Sequence, residues 1–277
     1  MSNTLTLVLG GTGKTGRRVV ERLQARGLPV RIGSRNGEPR FDWNDQSTWA
    51  DALRGVAAAY IAYVPDLGAP GARETIGAFV DQAVRSGVRR LVLLSGRGEP
   101  EAQRCEQLVQ ESGAAWTVVR ASWFAQNFSE DFLSDLVMGG VVALPTGDVR
   151  EPFVDADDIA DVAVAALTGE GHAGQIYELT GPRLLTFAEA VAAIAAASGR
   201  EVQFVPITRE EFVAGLEQYG LPADLIALLD NLFTTTLDGR NAYLADGVQR
   251  ALGRAPRDFG EYARDAATAG AWQAVPA

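Results

Sequence analysis

The feature that most constrains the fold is the glycine-rich stretch at residues 5–16, Leu-Thr-Leu-Val-Leu-Gly-Gly-Thr-Gly-Lys-Thr-Gly. An apolar run precedes its glycines and helical periodicity follows them, so the sequence predicts a strand, a tight turn and a helix. The glycines fit both G-x-G-x-x-G and G-x-x-G-x-x-G. Such a turn lets the backbone approach a pyrophosphate, and the helix N-terminus adds amide donors. The stretch therefore predicts dinucleotide binding.

The same stretch contains Gly13-Lys14-Thr15, which is typical of the end of the phosphate-binding loop in nucleoside triphosphatases. That loop requires a glycine five positions before Gly13, where this chain has Val8, so we reject this interpretation. The structural alternative is a strand–helix turn without a ligand. If the turn binds a dinucleotide, the expected contacts are Gly10, Thr12, Gly13, Lys14, Thr15 and Gly16.

Composition narrows the class of protein. With 277 residues, 47% of them hydrophobic, the chain is long enough for a large core. A net charge of −10 without a basic stripe argues against a nucleic-acid partner. One cysteine and one histidine exclude an internal disulfide and a His/Cys zinc cluster, and we expect no metal.

The apolar stretches are too short to cross a bilayer, and a strand beginning at residue 5 leaves no room for a secretion signal. We therefore expect a soluble, cytoplasmic protein without membrane contact. Its expected partner is a small-molecule substrate, and a homodimer is left open.

The second predicted strand, residues 30–33, ends in Ser34-Arg35-Asn36. In NAD-selective folds an acidic residue near this position binds the ribose hydroxyls. An arginine favours the additional 2′-phosphate of NADP, because its planar fork suits phosphate oxygens. We therefore expect NADP(H) rather than NAD(H), with Ser34 and Arg35 as contacts; alternatively, Arg35 merely faces water.

Further strands alternate with helices along the chain, which predicts an α/β fold with a doubly wound parallel sheet of the Rossmann type. These strands are predicted at residues 40–42, 57–64, 90–95, 116–120 and 175–180. Asp42 is placed near the adenine, or else caps its loop. Ligands bind at the carboxyl edge of such a sheet. The residues expected at this edge are Tyr63, Val64, Pro65, Ser95 and Gly96, with Val64 and Ser95 as expected cofactor contacts.

After residue 120 the simple alternation ends. A helix is predicted over residues 124–138, and the composition becomes mostly helical after residue 182. We predict a Rossmann domain at residues 1–125 plus 150–182. Residues 126–149 plus 183–277 are predicted to form a smaller substrate-binding lobe that closes over the carboxyl edge.

Several longer motifs accompany the glycine turn. They lie at residues 41–43 with Trp49, 88–95, 119–127, 153–155 with 158–160, and 252–259. Together they resemble the NmrA-like, atypical group of short-chain dehydrogenase/reductases from end to end, and within it the festuclavine and agroclavine dehydrogenases and their bacterial relatives. The resemblance implies a Rossmann core, NADP(H), and a substrate pocket between core and lobe.

The chain departs from the usual dehydrogenase pattern in one respect. Most short-chain dehydrogenases place a Tyr-x-x-x-Lys pair on the helix after the fifth strand, where the tyrosine protonates the carbonyl oxygen. The corresponding residues, 101–112, contain no tyrosine, and Lys14 is the only lysine in the chain. The pair therefore cannot exist here.

A missing acid changes which acceptors are suitable. Ketone reduction requires a proton on the developing alkoxide, and loss of the acid costs about 10²–10⁴-fold in rate. An iminium carbon requires no proton, and quinones and conjugated alkenes delocalise the product anion. We expect such acceptors, with Ser95 and Tyr63 as catalytic candidates. Expected substrate contacts are Pro65, Gly96, Phe124, Asn127 and Phe153.

Three functions fit this pattern. The first is an NADPH-dependent reductase for an imine, iminium or conjugated acceptor in secondary metabolism. The second is an NADPH:quinone oxidoreductase of the same group. The third is a non-catalytic NADP(H)-sensing regulator, which the missing pair suits equally well.

Overall fold

The computed structural model describes residues 4–273, over which strands and helices alternate. The strands are β1 (Leu5–Leu9), β2 (Val30–Gly33), β3 (Val56–Ile61), β4 (Arg90–Gly96), β5 (Ala115–Ala121), β6 (Val141–Leu144), β7 (Arg150–Glu151), β8 (Gln175–Leu179), β9 (Leu185–Thr186) and β10 (Gln203–Pro206). The α-helices are α1 (Lys14–Ala25), α2 (Trp49–Leu53), α3 (Ala72–Arg85), α4 (Pro100–Gln110), α5 (Asn127–Glu130), α6 (Phe132–Met138), α7 (Ala156–Thr168), α8 (Phe187–Ser198), α9 (Arg209–Gln218), α10 (Ala223–Asp230), α11 (Gly247–Leu252) and α12 (Phe259–Thr268). A 3₁₀ turn (Gln46–Thr48) precedes α2, and a π-helical segment (Asn231–Thr236) follows α10.

The chain divides into two compact units. The sheet unit comprises Met1–Ala121, Ala156–Leu179 and Asp246–Arg254. The second unit comprises Ser122–Asp155, Thr180–Ala245 and Ala255–Ala277. The ends of the predicted domains, residues 1–3 and 274–277, lie outside the described residues.

The borders of the units differ from the predicted domain borders at several points. Residues 122–125, 150–155 and 180–182, which the prediction assigned to the Rossmann domain, belong to the second unit. A further difference lies at α11. The prediction assigned residues 246–254 to the lobe, but they belong to the sheet unit. Gly247 explains the difference, because a Cβ built there would collide with the carbonyl oxygen of Glu178 in β8. The glycine therefore lets the start of α11 lie directly against the last strand of the sheet. The functional division into a cofactor domain and a substrate lobe stays a prediction.

The sheet unit contains a six-stranded sheet in the order β2-β1-β3-β4-β5-β8. Every neighbouring pair is parallel. The strand order reverses between β1 and β3, and in open α/β sheets such a switch point is where ligands bind. The side chains of Leu7, Val8 and Leu9 are completely buried, as expected for a strand covered on both faces. The predicted α/β, doubly wound parallel fold is confirmed.

The strand predicted at residues 40–42 is wrong. Only an isolated bridge between Asp42 and Asp45 forms there. The backbone groups bond within the loop instead: Phe41 N donates to Ser34 O at 2.9 Å, and the Trp49 indole donates to Asp42 O at 2.8 Å. Because these groups are already paired, they are not available for a strand ladder.

The single helix predicted over residues 124–138 is also wrong, since α5 and α6 are separate. Asp131 between them has extended backbone angles, and its carboxylate accepts a hydrogen bond from Phe132 N at 2.9 Å. This is an N-cap, which stabilises the start of a new helix rather than the continuation of the old one.

The second unit is mostly helical, with two small sheets formed by β6 with β10 and by β7 with β9. Its core is aromatic, and Phe128 contacts the rings of Phe153, Phe187 and Phe259 at centroid distances of 5.6, 6.0 and 5.6 Å. Thr186 and Glu189 form the capping box that the sequence predicts at the start of α8.

Within residues 4–273, none of the helices combines the length and the apolar character that crossing a bilayer requires.

Candidate cofactor and active site

The turn between β1 and α1, residues 10–16, is shaped by close backbone contacts and is here called the glycine turn. Gly10 has φ of +64°, and its carbonyl oxygen accepts a hydrogen bond from Gly13 N at 2.8 Å. A Cβ built on Gly16 would collide with that same oxygen and lie 2.9 Å from Gly11 Cα. A side chain at position 16 would therefore force the turn open.

The glycine turn fits a phosphate group. Gly13 is the N-cap of α1, and as a glycine it has no side chain that could occupy the first amides of the helix. Thr12 and Gly13 are both exposed. Thr15 is buried, and its Oγ1 accepts a hydrogen bond from Tyr60 Oη at 2.9 Å. The threonine hydroxyl thus anchors α1 on the sheet. The backbone amides of the turn and Lys14, at the first helical position, stay predicted contacts for an anion.

The exit of β2 presents arginines rather than carboxylates. Arg35 and Arg40 are exposed, and Ser34 O accepts from both Gly37 N and Phe41 N. The Asp42 carboxylate binds Asn44 N at 3.0 Å and Arg40 Nη2 at 2.8 Å. These two bonds, the Asn44 amide first, hold the pKa of Asp42 below its usual value. Asp42 therefore caps its own loop, and its predicted role at the cofactor is not supported by the geometry.

The exit of β3 combines a packed aromatic ring with exposed apolar residues. The Tyr63 ring lies against Trp43, with centroids 5.0 Å apart. Val64 is 61% exposed, and Pro65 is also exposed. These three predicted site residues do lie at the carboxyl edge of the sheet, immediately after its β3 strand.

Ser95, near the end of β4, is part of a buried polar network. Its side chain is 4% exposed, and its Oγ donates to Glu106 Oε1 at 2.6 Å. Arg120 binds the same carboxylate at 2.9 and 2.5 Å and reaches Glu178 at 2.9 Å. Because the serine proton is committed to Glu106, the hydroxyl is poorly placed to protonate a substrate, and the catalytic and cofactor-binding roles of Ser95 stay predictions.

Two carboxyl groups that the sequence analysis did not select meet at the same edge. Asp66 follows β3, Glu99 follows β4, and their side chains share a hydrogen bond. A Cβ built on Gly68 would lie 3.1 Å from Asp66 Oδ1 and 3.5 Å from Glu99 Oε2. We call Asp66, Gly68, Gly96 and Glu99 the carboxyl corner.

Burial first, and then the charge of Asp66, raises the pKa of Glu99 to about 9. The sequence signal was present, since each of the two acids comes shortly after one of two adjacent parallel strands.

The predicted substrate residues of the second unit lie in different surroundings. Phe153 is 2% exposed within the aromatic core, so its ring has a packing role. Phe124 is partly buried and forms an isolated bridge with Val154. Asn127 is partly buried at the start of α5. Substrate contact by Phe124 and Asn127 stays a prediction.

The glycine turn, the parallel sheet and the switch point define a dinucleotide-binding protein of the short-chain dehydrogenase/reductase type. A family model described as NAD(P)H-binding matches residues 10–170, so the chain belongs to that family.

Relatives that are named as reductases or dehydrogenases match nearly the whole chain. An NAD(P)H azoreductase of Xenophilus azovorans is 33% identical, covering 96% of this chain and 99% of the relative. A (4-alkanoyl-5-oxo-2,5-dihydrofuran-3-yl)methyl phosphate reductase of Streptomyces griseus is 32% identical, with coverage of 96% and 99%. Agroclavine dehydrogenase of Claviceps fusiformis is 30% identical, with coverage of 94% and 96%. The predicted likeness to clavine dehydrogenases is confirmed, and the chain is an NAD(P)H-dependent oxidoreductase.

Among solved structures, NmrA, a negative transcriptional regulator in complex with NAD, superposes with a TM-score of 0.72 at 17% identity and covers 97% of both chains. This likeness concerns the fold and confirms that the architecture is NmrA-like.

Proposed function

We propose that this protein is an NADPH-dependent reductase whose acceptors are imines, iminium ions or conjugated systems rather than simple ketones. The observation that carries the proposal is the absence of a Tyr-x-x-x-Lys pair in a chain whose only lysine lies in the glycine turn. A reductase built in this way is suited to acceptors whose product anion is delocalised or absent.

The residues of the glycine turn would hold the cofactor. Backbone amides after Gly10, with Lys14, would bind the pyrophosphate, and the bound dinucleotide supplies a hydride to the acceptor. Exposed Val64 and Pro65, next to the switch point, offer apolar surface for the cofactor or the acceptor.

NADPH is the proposed cofactor because the exit of β2 carries Ser34 and exposed Arg35. The nearby carboxylate, Asp42, is bound within its loop by Asn44 N and Arg40, and so does not compete for the ribose hydroxyls. An arginine fork suits the 2′-phosphate.

The names of the relatives support an acceptor with a delocalised or polar double bond. One relative is an azoreductase, and another reduces an oxo-dihydrofuran that also carries an alkanoyl group. Both names are compatible with the reduction of a multiple bond other than that of a simple ketone. A quinone oxidoreductase activity belongs to the same chemistry and is the second candidate, since quinone reduction also yields a delocalised anion.

Steady-state NADPH oxidation over matched panels of simple ketones, quinones, conjugated lactones and cyclic imines tests the proposal. We expect kcat/KM for the delocalised acceptors to exceed that for simple ketones by about 100-fold or more, because the chain lacks the Tyr-x-x-x-Lys acid that serves ketone reduction, and such an acid typically contributes that much. A clear preference for simple ketones would contradict the proposal. Tight NADPH binding without oxidation by any acceptor would instead favour a sensor.

A further inference from the structure

Delocalisation makes the anion formed from a quinone or a conjugated acceptor less basic than an alkoxide, but the anion still takes up a proton to give the product. The chain therefore requires a proton source for any acceptor that is not cationic. Of the two residues that the sequence analysis selected, Ser95 has a buried hydroxyl that donates to Glu106, whereas Tyr63, whose ring packs on Trp43, stays a candidate. The carboxyl corner contains an acid at the carboxyl edge that the function described so far does not use.

The carboxyl corner lies close to the switch point of the sheet. β1, β3 and β4 are consecutive neighbours in the sheet order, and all three run parallel. The glycine turn follows β1, Asp66 follows β3 and Glu99 follows β4. The glycine turn and the carboxyl corner therefore lie at the same edge of the sheet, at the ends of adjacent strands.

The orientation of Glu99 is unusual for its position. It is the N-cap of α4, where a carboxylate normally accepts from the first amides, yet it makes no side-chain cap. Its carboxyl group instead extends back over Gly96, where a built Cβ would collide with Oε1. Glycine at position 96 makes room for the acid, and Glu99 stays partly exposed and thus accessible to a ligand.

The surroundings of Glu99 favour its neutral form. Asp66 shares a hydrogen bond with it, and Asp66 Oδ1 also accepts from Gly68 N at 2.7 Å. Asp66 is the charge that acts on Glu99, whereas Arg73 and Glu74 on α3 and Glu101 on α4 act on the buried thiol of Cys105. With its pKa raised to about 9, Glu99 carries a proton at neutral pH while Asp66 accepts its hydrogen bond.

We propose that the Glu99 carboxyl group, held by Asp66, is the proton donor of this reductase for acceptors that are not already cationic. The proposal rests on the proposed function, because it assigns the acid for that same reaction. It makes Glu99 the catalytic residue and Asp66 a positioning residue.

The proton and electron balance is simple. The acceptor gains two electrons as a hydride from the reduced dinucleotide, and the Glu99 O–H bond breaks as its proton forms a new C–H, N–H or O–H bond on the resulting anion. Glu99 is left as a carboxylate beside Asp66, which is unfavourable, and it recovers a proton from solvent before the next turnover.

The kinetic test compares Glu99→Gln, Asp66→Asn and the control Glu101→Gln on a quinone and on a preformed N-alkyl iminium acceptor. Glutamine is isosteric with the neutral acid, so the fold should tolerate it. Glu99→Gln is expected to lower kcat for the quinone about 100-fold and to leave the iminium rate within about threefold. Exposed Glu101, paired with Arg104 on the surface, should behave as wild type.

The pH dependence of kcat distinguishes a catalytic role of Glu99 from a purely structural one. Wild-type kcat for the quinone should fall as pH rises through about 9, because the donor loses its proton. Asp66→Asn removes the like charge beside Glu99, so the fall in kcat should move to lower pH by about one unit. In Glu99→Gln, the fall in kcat near pH 9 should be absent.

Infrared spectroscopy of the protein without cofactor gives a readout that does not depend on activity. A protonated carboxylic acid band at pH 7 should disappear in Glu99→Gln and persist in Glu101→Gln. No such band in wild type, or equal losses of kcat on both acceptors, would overturn the proposal. Failure of wild type to reduce any delocalised acceptor would instead refute the proposed function, while the infrared result would still report on Glu99.

Discussion

The glycine turn and the carboxyl corner lie at the same edge of one sheet, but they offer different chemical groups to a ligand. The turn presents backbone groups in places where a Cβ would collide, as at Gly16. The corner presents side-chain oxygens whose affinity for protons depends on burial and on each other. Binding at the turn should therefore depend on steric fit, whereas chemistry at the corner should depend on pH. Substitutions in the turn and in the corner test this difference.

The largest effect is expected from Gly16→Val. Its side chain would collide with Gly10 O, so the turn must open, and we expect NADPH affinity to fall by more than about 100-fold, together with a lower Tm. Calorimetric titration measures the affinity. Gly215→Ala is the control, because a Cβ there has open space and the residue lies within α9, where alanine is favoured. Wild-type affinity in Gly16→Val would refute the steric account of the turn.

The next effect concerns the pH dependence of stability at the corner. The folded-state pKa of Glu99, about 9, lies above its ordinary value of 4.5, so the contribution of this group to stability is fully present below pH 4.5 and is lost as pH rises towards 9. Glu99→Gln abolishes that loss.

We expect the free energy of unfolding of Glu99→Gln, relative to wild type, to increase by about 1 kcal/mol or more between pH 5 and pH 9. Urea unfolding at several pH values measures it, with Glu101→Gln as the control. A difference that does not change with pH would show that Glu99 titrates normally.

A smaller effect is expected at the exit of β2. Arg35→Ala should weaken NADPH binding about tenfold and leave NADH binding unchanged, because only NADPH has the 2′-phosphate that the guanidinium would bind. Arg54→Ala provides a control, since its side chain is 78% exposed and pairs with Asp51 at the surface. Equal weakening of both cofactors would remove the argument for NADP selectivity.

The smallest effect is expected from Ser95→Ala. Arg120 still binds both oxygens of Glu106 after the hydroxyl is lost, so kcat should fall by less than about tenfold. Quinone reduction at saturating NADPH measures it. A loss of 100-fold or more would restore Ser95 as the acid and weaken the contrast between turn and corner.

What the sequence predicted well is local. The glycine turn, the parallel strands and the capping box at Thr186 each depend on a few adjacent residues, whose spacing is visible in the chain. The errors at residues 40–42 and at Asp131 arose because a side chain or a backbone oxygen a few positions away took the hydrogen bond. The carboxyl corner required tertiary information, since Asp66 and Glu99 are far apart in sequence and only the pairing of β3 with β4 brings them together.

The central claim is that one edge of the sheet holds a binding site insensitive to pH and an acid that titrates. The most direct test measures the NADPH dissociation constant and kcat for a quinone on the same wild-type sample between pH 7 and pH 10. We predict a nearly constant dissociation constant, while kcat falls about tenfold per pH unit above about 9. A dissociation constant that rises in parallel with the loss of kcat, or a kcat that stays level to pH 10, would contradict it.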